Sequence, residues 1–280
     1  MLKAMRKRTY CLAIAIFAAV LGIFISAGRG DTAAQEIKAR NAAEFIEALG
    51  SDRTIILSSD GDFAITDARK TAKMPDCAYW SEEFDGPQLN IFGVENLVIR
   101  GEPSEGDVFG AMLTAEPRYA NVLNFDGCEK VTIETLWAGH TEGGECTGGV
   151  LRFVRCRDII LSELDLTGSG VTGVELEKTN NVSVTGCVIT DCTIHAASII
   201  ESANAEFNNV VFDQIAGDYG TIFIHGSEFV TFEKCLFIGN TGSAFSVSRS
   251  ENIIVRDWKI LDCDYDELDP SNIVIFEEGD

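Results

Sequence analysis

The sequence is poor in proline, with 5 in 280 residues, and poor in basic residues, with 22 Lys and Arg against 44 Asp and Glu. Without proline-rich or other low-complexity stretches, neither a stiff linker nor a disordered tail is expected. The formal charge of -22 excludes nucleic acid and anionic lipid surfaces as partners, because binding either depends on Lys and Arg displacing counterions. No C-x-x-C pair occurs, so a zinc site is not expected. What is abundant is apolar and turn-forming: 46% hydrophobic residues and 26 glycines. A chain of this size and composition buries a large core.

The N-terminus carries Lys3, Arg6, Lys7 and Arg8 before an apolar run over residues 11–27, followed by Gly28, Arg29, Gly30 and Asp31. This is the layout of a secretory signal. We expect residues 1–34 to be the signal, 35–280 to be one mature domain, and the mature N-terminus to fall between Gly28 and Ile37. An uncleaved anchor is the alternative, since seventeen residues lie at the short limit for a membrane-spanning helix. The expected location is secreted or cell envelope, periplasm or surface. No stable membrane insertion is expected after processing, and the protein should be a monomer.

Beyond a short amphipathic stretch (Ala42, Phe45, Ile46, Leu49), helical periodicity gives way to short strands with a period of two. The strands recur in register. Segments beginning at Asn96, Lys130, Asp158, Asn181, Asn204, Phe229 and Asn252 are separated by 34, 28, 23, 23, 25 and 23 residues. Seven residues before each start stand Leu89, Leu123, Leu151, Val174, Ala197, Ile222 and Phe245; five before stand Ile91, Phe125, Phe153, Leu176, Ile199, Ile224 and Val247. Both columns are wholly apolar. Between them lie Asn90, Asn124, Arg152, Glu175, Ser198, Phe223 and Ser246. Alternate side chains of a strand face opposite ways, so the two apolar columns should line an interior and the third should face water. Two residues before each start, Val94, Cys128, Cys156, Thr179, Ser202, Ser227 and Ser250 form a column of small residues, suited to a bend where like residues stack. A period in this range means stacked coils. A propeller or antiparallel sandwich would instead require hairpin signals between strands.

Residues 42–276 resemble the right-handed parallel β-helix of the pectate-lyase-like superfamily, with each coil made of a strand, a bend, a second strand and a short third strand such as Leu164–Leu166 or Leu236–Ile238. The segment Ala48–Leu57 resembles the cap that opens such proteins, placing an N-terminal capping helix within roughly residues 42–53. The implied class is all-β, a single-stranded right-handed parallel β-helix solenoid. Two coils are overlong, through residues 102–118 and 139–149, and insertions in a solenoid become loops on one side. A further long segment, Lys70–Pro87, carries Tyr79 and Trp80.

The resemblance implies a site on the outer face of the first strand of each coil. By position this selects Glu175 and Glu177 as an acid and base pair around a glycosidic bond. Arg152 would lie beside Glu175, ionising it and leaving Glu177 as the acid; the alternative is an ordinary surface ion pair. Asn124, Asp126, Ser198 and His225 fall on the same face as candidate substrate contacts. His140 is surrounded by Gly139, Gly143, Gly144, Gly148 and Gly149. It either orients the pair or braces its loop by bonding a backbone carbonyl. Trp137-Ala138-Gly139-His140 is similar to the Trp-x-Asp-His segment of pectate lyases, with glycine at the calcium-binding aspartate. Gly139–Leu151 is similar to bacterial β-helix repeat proteins whose activity is not established.

The expected partner is therefore a polysaccharide or other glycan, bound and processed, or only bound by a non-catalytic surface or structural module. Neutral glycans suit an acidic face better than pectate or alginate, unless calcium bridges the charges. No cofactor is expected. Asp262, Asp264, Asp266 and Asp269 begin like a calcium loop but place Glu267 where the turn needs glycine and Ile273 where a bidentate Glu belongs; they read as a solvated acidic terminus. Among the cysteines, Cys128 and Cys156 share a column in adjacent coils, within reach of a bridge. Cys187 and Cys235 read as small buried hydrophobes.

Overall fold

A computed structural model describes residues 34–103, 109–116, 118–141, 148–167, 170–217, 219–269 and 271–277; the expected signal, Cys146 and parts of both overlong coils lie outside these. From Pro87 to Ser248 the chain repeats one path. First strands at Pro87–Phe92, Leu123–Asp126, Leu151–Val154, Thr172–Glu177, His195–Ile200, Ile222–His225 and Phe245–Ser248 stack in parallel register, as in Leu123↔Leu151↔Val174↔Ala197↔Ile222↔Phe245. Second strands such as Arg157–Thr167, Asn180–Thr185, Ala203–Asn208 and Glu228–Glu233 stack likewise. Among the described residues the seven first strands and Ala78–Glu82 make an eight-stranded first sheet, and the second sheet has fifteen strands, including third strands such as Val188–Thr190 and Val211–Asp213.

Burial follows the two apolar columns. Every member from Leu89 to Phe245 and from Ile91 to Val247 is buried. Inside the solenoid like residues stack coil on coil: the rings of Phe125 and Phe153 lie 5.0 Å apart and 7° from parallel, and those of Phe207 and Phe232 lie 4.8 Å apart.

The corners explain the period. Asn96, Lys130, Asp158, Asn181, Asn204, Phe229 and Asn252 all have φ between 53° and 58°, so each second strand begins one residue before the expected start and its second residue is a left-handed corner. Asparagine recurs there because its short polar side chain tolerates that conformation. Three residues earlier, Gly93, Gly127, Arg155, Lys178, Glu201, Gly226 and Arg249 also have positive φ. The small residues sit between these two turns and form a hydrogen-bond ladder. The Cys156 amide donates to Thr179 Oγ1 (3.2 Å), the Thr179 amide to Ser202 Oγ (3.0 Å), and the Ser202 amide to Ser227 Oγ (3.1 Å). Thr179 Oγ1 in turn donates to the Phe153 carbonyl (3.0 Å), tying one coil to the next. Thr179→Val keeps the shape and removes both bonds, orphaning the Cys156 amide. A loss of about 1–3 kcal/mol is expected in chemical denaturation, while Thr179→Ser should restore most of it.

The cap is a helix, α1, over Ala42–Ala48. Asn41 accepts from the Glu44 amide (2.9 Å), and the Glu44 carboxylate accepts from the Arg40 amide (2.8 Å), a reciprocal N-terminal cap. At the other end Arg53 donates to the Ala48 and Leu49 carbonyls, and Phe45 and Ile46 are buried in the core.

One feature departs from the expected pattern. The Lys70–Pro87 segment folds into a strand, Ala78–Glu82, antiparallel to Pro87–Phe92, so a hairpin does occur, at the margin of the first sheet. Cys77, Cys128, Cys156, Cys187, Cys235 and Cys263 are free thiols; the Cys128 amide points at Cys156 Sγ (3.4 Å). Burial pushes the Cys187 and Cys235 thiols up to about 12, so neither is a nucleophile at neutral pH.

Candidate functional site

The first sheet's outer face collects three of the expected residues. Arg152, Glu175 and Glu177 meet because Arg152 and Glu175 are paired in register on neighbouring strands and Glu177 lies two residues along the same face. Arg152 Nε donates to Glu175 Oε1 (2.9 Å) and its Nη2 to Glu177 Oε2 (2.7 Å). All three side chains are between a quarter and a third exposed. Burial works against the guanidinium charge, but the bonds and charges of the two glutamates outweigh it and hold Arg152 above its ordinary value. The expected division, with Arg152 serving Glu175 alone, does not hold: one arginine serves both carboxylates.

The other candidates are spread out. Asp126 is paired with Arg155. His225 Nδ1 lies 2.8 Å from Ser248 Oγ. Asn124 and Ser198 do not face water as expected but are buried, at 7% and 6% exposure. The added strand explains the first: Ser81 accepts from Asn90, which accepts from Asn124 Nδ2 (2.7 Å), forming a polar ladder under the hairpin. Ser198 is a small side chain in register between Glu175 and Phe223, and its larger neighbours cover it. His140 ends the Glu129–His140 strand and is buried, at 5% exposure, rather than presented on an open loop. Its Nε2 lies 2.8 Å from the Ala120 carbonyl, so this contact braces the backbone preceding Leu123.

Aromatic groups flank the trio, which the column reading did not single out. On one side Tyr79 and Phe92, both exposed, pair with rings 5.8 Å apart. On the other, His195 and Phe223 stack at 5.1 Å. His195 Nδ1 is bonded to the Gly220 carbonyl (2.7 Å), and burial lowers its pKa, leaving a neutral ring. Counting strands, Phe92 lies three coils from Glu177 and Phe223 two, roughly 14 Å and 10 Å at about 4.8 Å per coil. The signal in the sequence was present: Phe92 and Phe223 occupy the two outward positions of their strands.

Among the described residues no group of three His, Cys, Asp or Glu is arranged to hold a metal ion. In the acidic C-terminal stretch, Asp269 is buried and accepts from the Ser271 and Val274 amides, so it closes a turn. No described helix is long and apolar enough to cross a membrane.

A family model described as "Right handed beta helix region" matches residues 145–276. The fold is a right-handed parallel β-helix. No curated protein matches the sequence. Among solved structures, this β-helix is similar to a protein described as "Glycoside hydrolase", at 9% identity and a TM-score of 0.46, covering 81% of this chain and 48% of that one. The chain thus spans about half the length of that protein. It is also similar to a putative glycosyl hydrolase from Parabacteroides merdae ATCC 43184 (14% identity, TM-score 0.37, 80% and 87% covered). A third is the Streptococcus pneumoniae surface protein and adhesin PfbA (10% identity, TM-score 0.40, 88% and 89% covered). These likenesses concern the architecture of the β-helix and not its chemistry.

Proposed function

We propose that this is an exported β-helix protein that binds a neutral polysaccharide across the outer face of the first sheet, with Arg152, Glu175 and Glu177 as the polar centre. The observation that carries the reading is the shared arginine between two aromatic pairs. Glu175 Oε2, Glu177 Oε1 and Arg152 Nη1 have no described protein partner and belong to side chains that remain partly exposed. They offer acceptors and donors to sugar hydroxyls, while Tyr79 with Phe92 and His195 with Phe223 offer apolar ring faces along the same line. Asp126 and His225 lie along that line as further contacts. A rigid parallel stack costs nothing to order on binding, which favours an extended ligand lying across the coils.

The same geometry favours binding over hydrolysis. Acid and base carboxyls need different environments so that one keeps its proton, and here both are bonded to one guanidinium. Calcium would have to displace Arg152 to bridge them. The test is a neutral-glycan array together with a reducing-end assay on purified mature protein. Binding without new reducing ends is expected, and Arg152→Ala or Glu177→Gln should weaken it about tenfold or more while moving stability by no more than about 1 kcal/mol. Reducing ends that disappear in Glu177→Gln would make the protein a hydrolase instead. Recovery of full-length Met1 chains from a membrane fraction would contradict export with cleavage.

A further inference from the structure

A second groove lies elsewhere, on the outer face of the second sheet. It has a volume of about 700 Å3 and is bounded by Lys130, Asp158, Asn181, Asn204 and Phe229 on the corner side and by Glu233 and Arg256 on the other. Its floor is the row Thr132, Ile160, Ser183, Glu206 and Thr231, one residue per coil in continuous register, a run of roughly 19 Å.

Three features set this groove apart from an ordinary solvated face. First, its rim charges are neutralised within the protein: Lys130 by Glu129, Asp158 by Arg157, Glu233 by Lys234 and Arg256 by Glu277. Glu206, at the centre and exposed, has no ion pair or hydrogen bond among the described residues. Second, Phe229 is 52% exposed, makes none of the described ring contacts, and occupies a left-handed corner (φ 56°) whose neighbours in the column are Asn204 and Asn252. A bulky side chain there is strained where asparagine would not be. Such strain with no packing gain points to a use for the ring. Third, Asn181, Ser183, Asn204 and Thr231 put amides and hydroxyls around these two residues.

We propose that this groove binds a polymer of amino sugars carrying free amines, with an ammonium over Glu206 and a sugar ring against Phe229. Charge complementarity selects the cation: one unpaired carboxylate in a groove of otherwise balanced charge, on a protein of net charge -22. An aromatic face within reach adds to the attraction for an ammonium. The surrounding amides and hydroxyls select a polyhydroxylated ligand over a peptide. The strand backbone on this face is already paired coil to coil, so an extended peptide finds no ladder to join. The inference concerns a different face from Arg152 and stands independently of the first reading.

The experiment is calorimetric titration of the whole mature protein with a glucosamine hexamer, an N-acetylglucosamine hexamer, cellohexaose and hexalysine. The glucosamine hexamer should bind best, with salt-sensitive affinity. Glu206→Gln and Phe229→Asn should each weaken it about tenfold, and Arg152→Ala should leave it unchanged. Because Phe229→Asn restores the residue type its corner favours, it should also raise Tm by roughly 2–4 °C. A lower Tm for that variant would make the ring structural. Failure of the glucosamine hexamer to bind, binding of it that Glu206→Gln leaves unchanged, binding of a neutral oligomer that Glu206→Gln weakens equally, or equal binding by hexalysine would each overturn the proposal, the last by reducing it to generic attraction of polycations. Failure here with intact neutral-glycan binding sensitive to Arg152→Ala would leave the first-sheet reading standing.

Discussion

Phe153→Ala should cost roughly 3–5 kcal/mol of stability, read from denaturation midpoints, because it opens a cavity in an interior that has no means of collapsing. Phe153 is fully buried and stacked on Phe125, with ring planes 7° apart. Above and below it the strands are held at a fixed spacing by the ladder Phe125↔Phe153↔Leu176. A globular core can shift a helix to fill such a gap, whereas here each coil is pinned to two neighbours by backbone hydrogen bonds. Arg152→Ala, one residue away on the same strand, should move the midpoint by about 1 kcal/mol or less, since a partly exposed ion pair contributes little. The contrast tests the register itself. If Phe153→Ala were mild and Arg152→Ala severe, the strand would be inside out, and the trio on its outer face would have to be abandoned.

That register was legible in the sequence because a solenoid writes the same constraint once per coil. The Leu89-to-Phe245 and Ile91-to-Val247 columns are apolar at every repeat and buried at every repeat. The corner chemistry was only half legible. Asparagine at 96, 181, 204 and 252, and glycine at 93, 127 and 226, three residues before Asn96, Lys130 and Phe229, carry the signature of two left-handed residues per bend, yet a period-two reading does not see the turn and takes the column as the start of a strand. Where the structure departs further, the cause is an element outside the repeat. Asn124 is covered because a non-periodic segment, Ala78–Glu82, pairs antiparallel at the sheet's margin. His140 is buried because the chain returns to lay the Ala120 carbonyl against its ring, twenty residues earlier in sequence. The sharing of Arg152 between Glu175 and Glu177 depends on the reach of a long side chain, which column positions do not specify.

The glycine beside His140 carries the other large expected effect. A glycine-rich segment suggests backbone held close to a ligand, but at Gly139 the close approach is to the protein's own next coil. Gly139 pairs with Thr167 in the second sheet, and a Cβ added there would fall well inside contact distance of the Thr167 carbonyl oxygen, with the Trp137 ring 2.9 Å away on its other side. A carbonyl in a stacked coil cannot give way as a flexible side chain would. Gly139→Ala should therefore cost about 3 kcal/mol, at the upper end of what overpacking costs. Gly127→Ala is the control. Gly127 has a left-handed φ of 61° but meets nothing within 4 Å, so it should lose only about 1 kcal/mol through backbone strain. If Gly139→Ala unfolded no more easily than Gly127→Ala yet lost glycan binding, the glycine would belong to a ligand site after all. Gly139 and His140 would then have to be counted with Arg152 as part of the binding face.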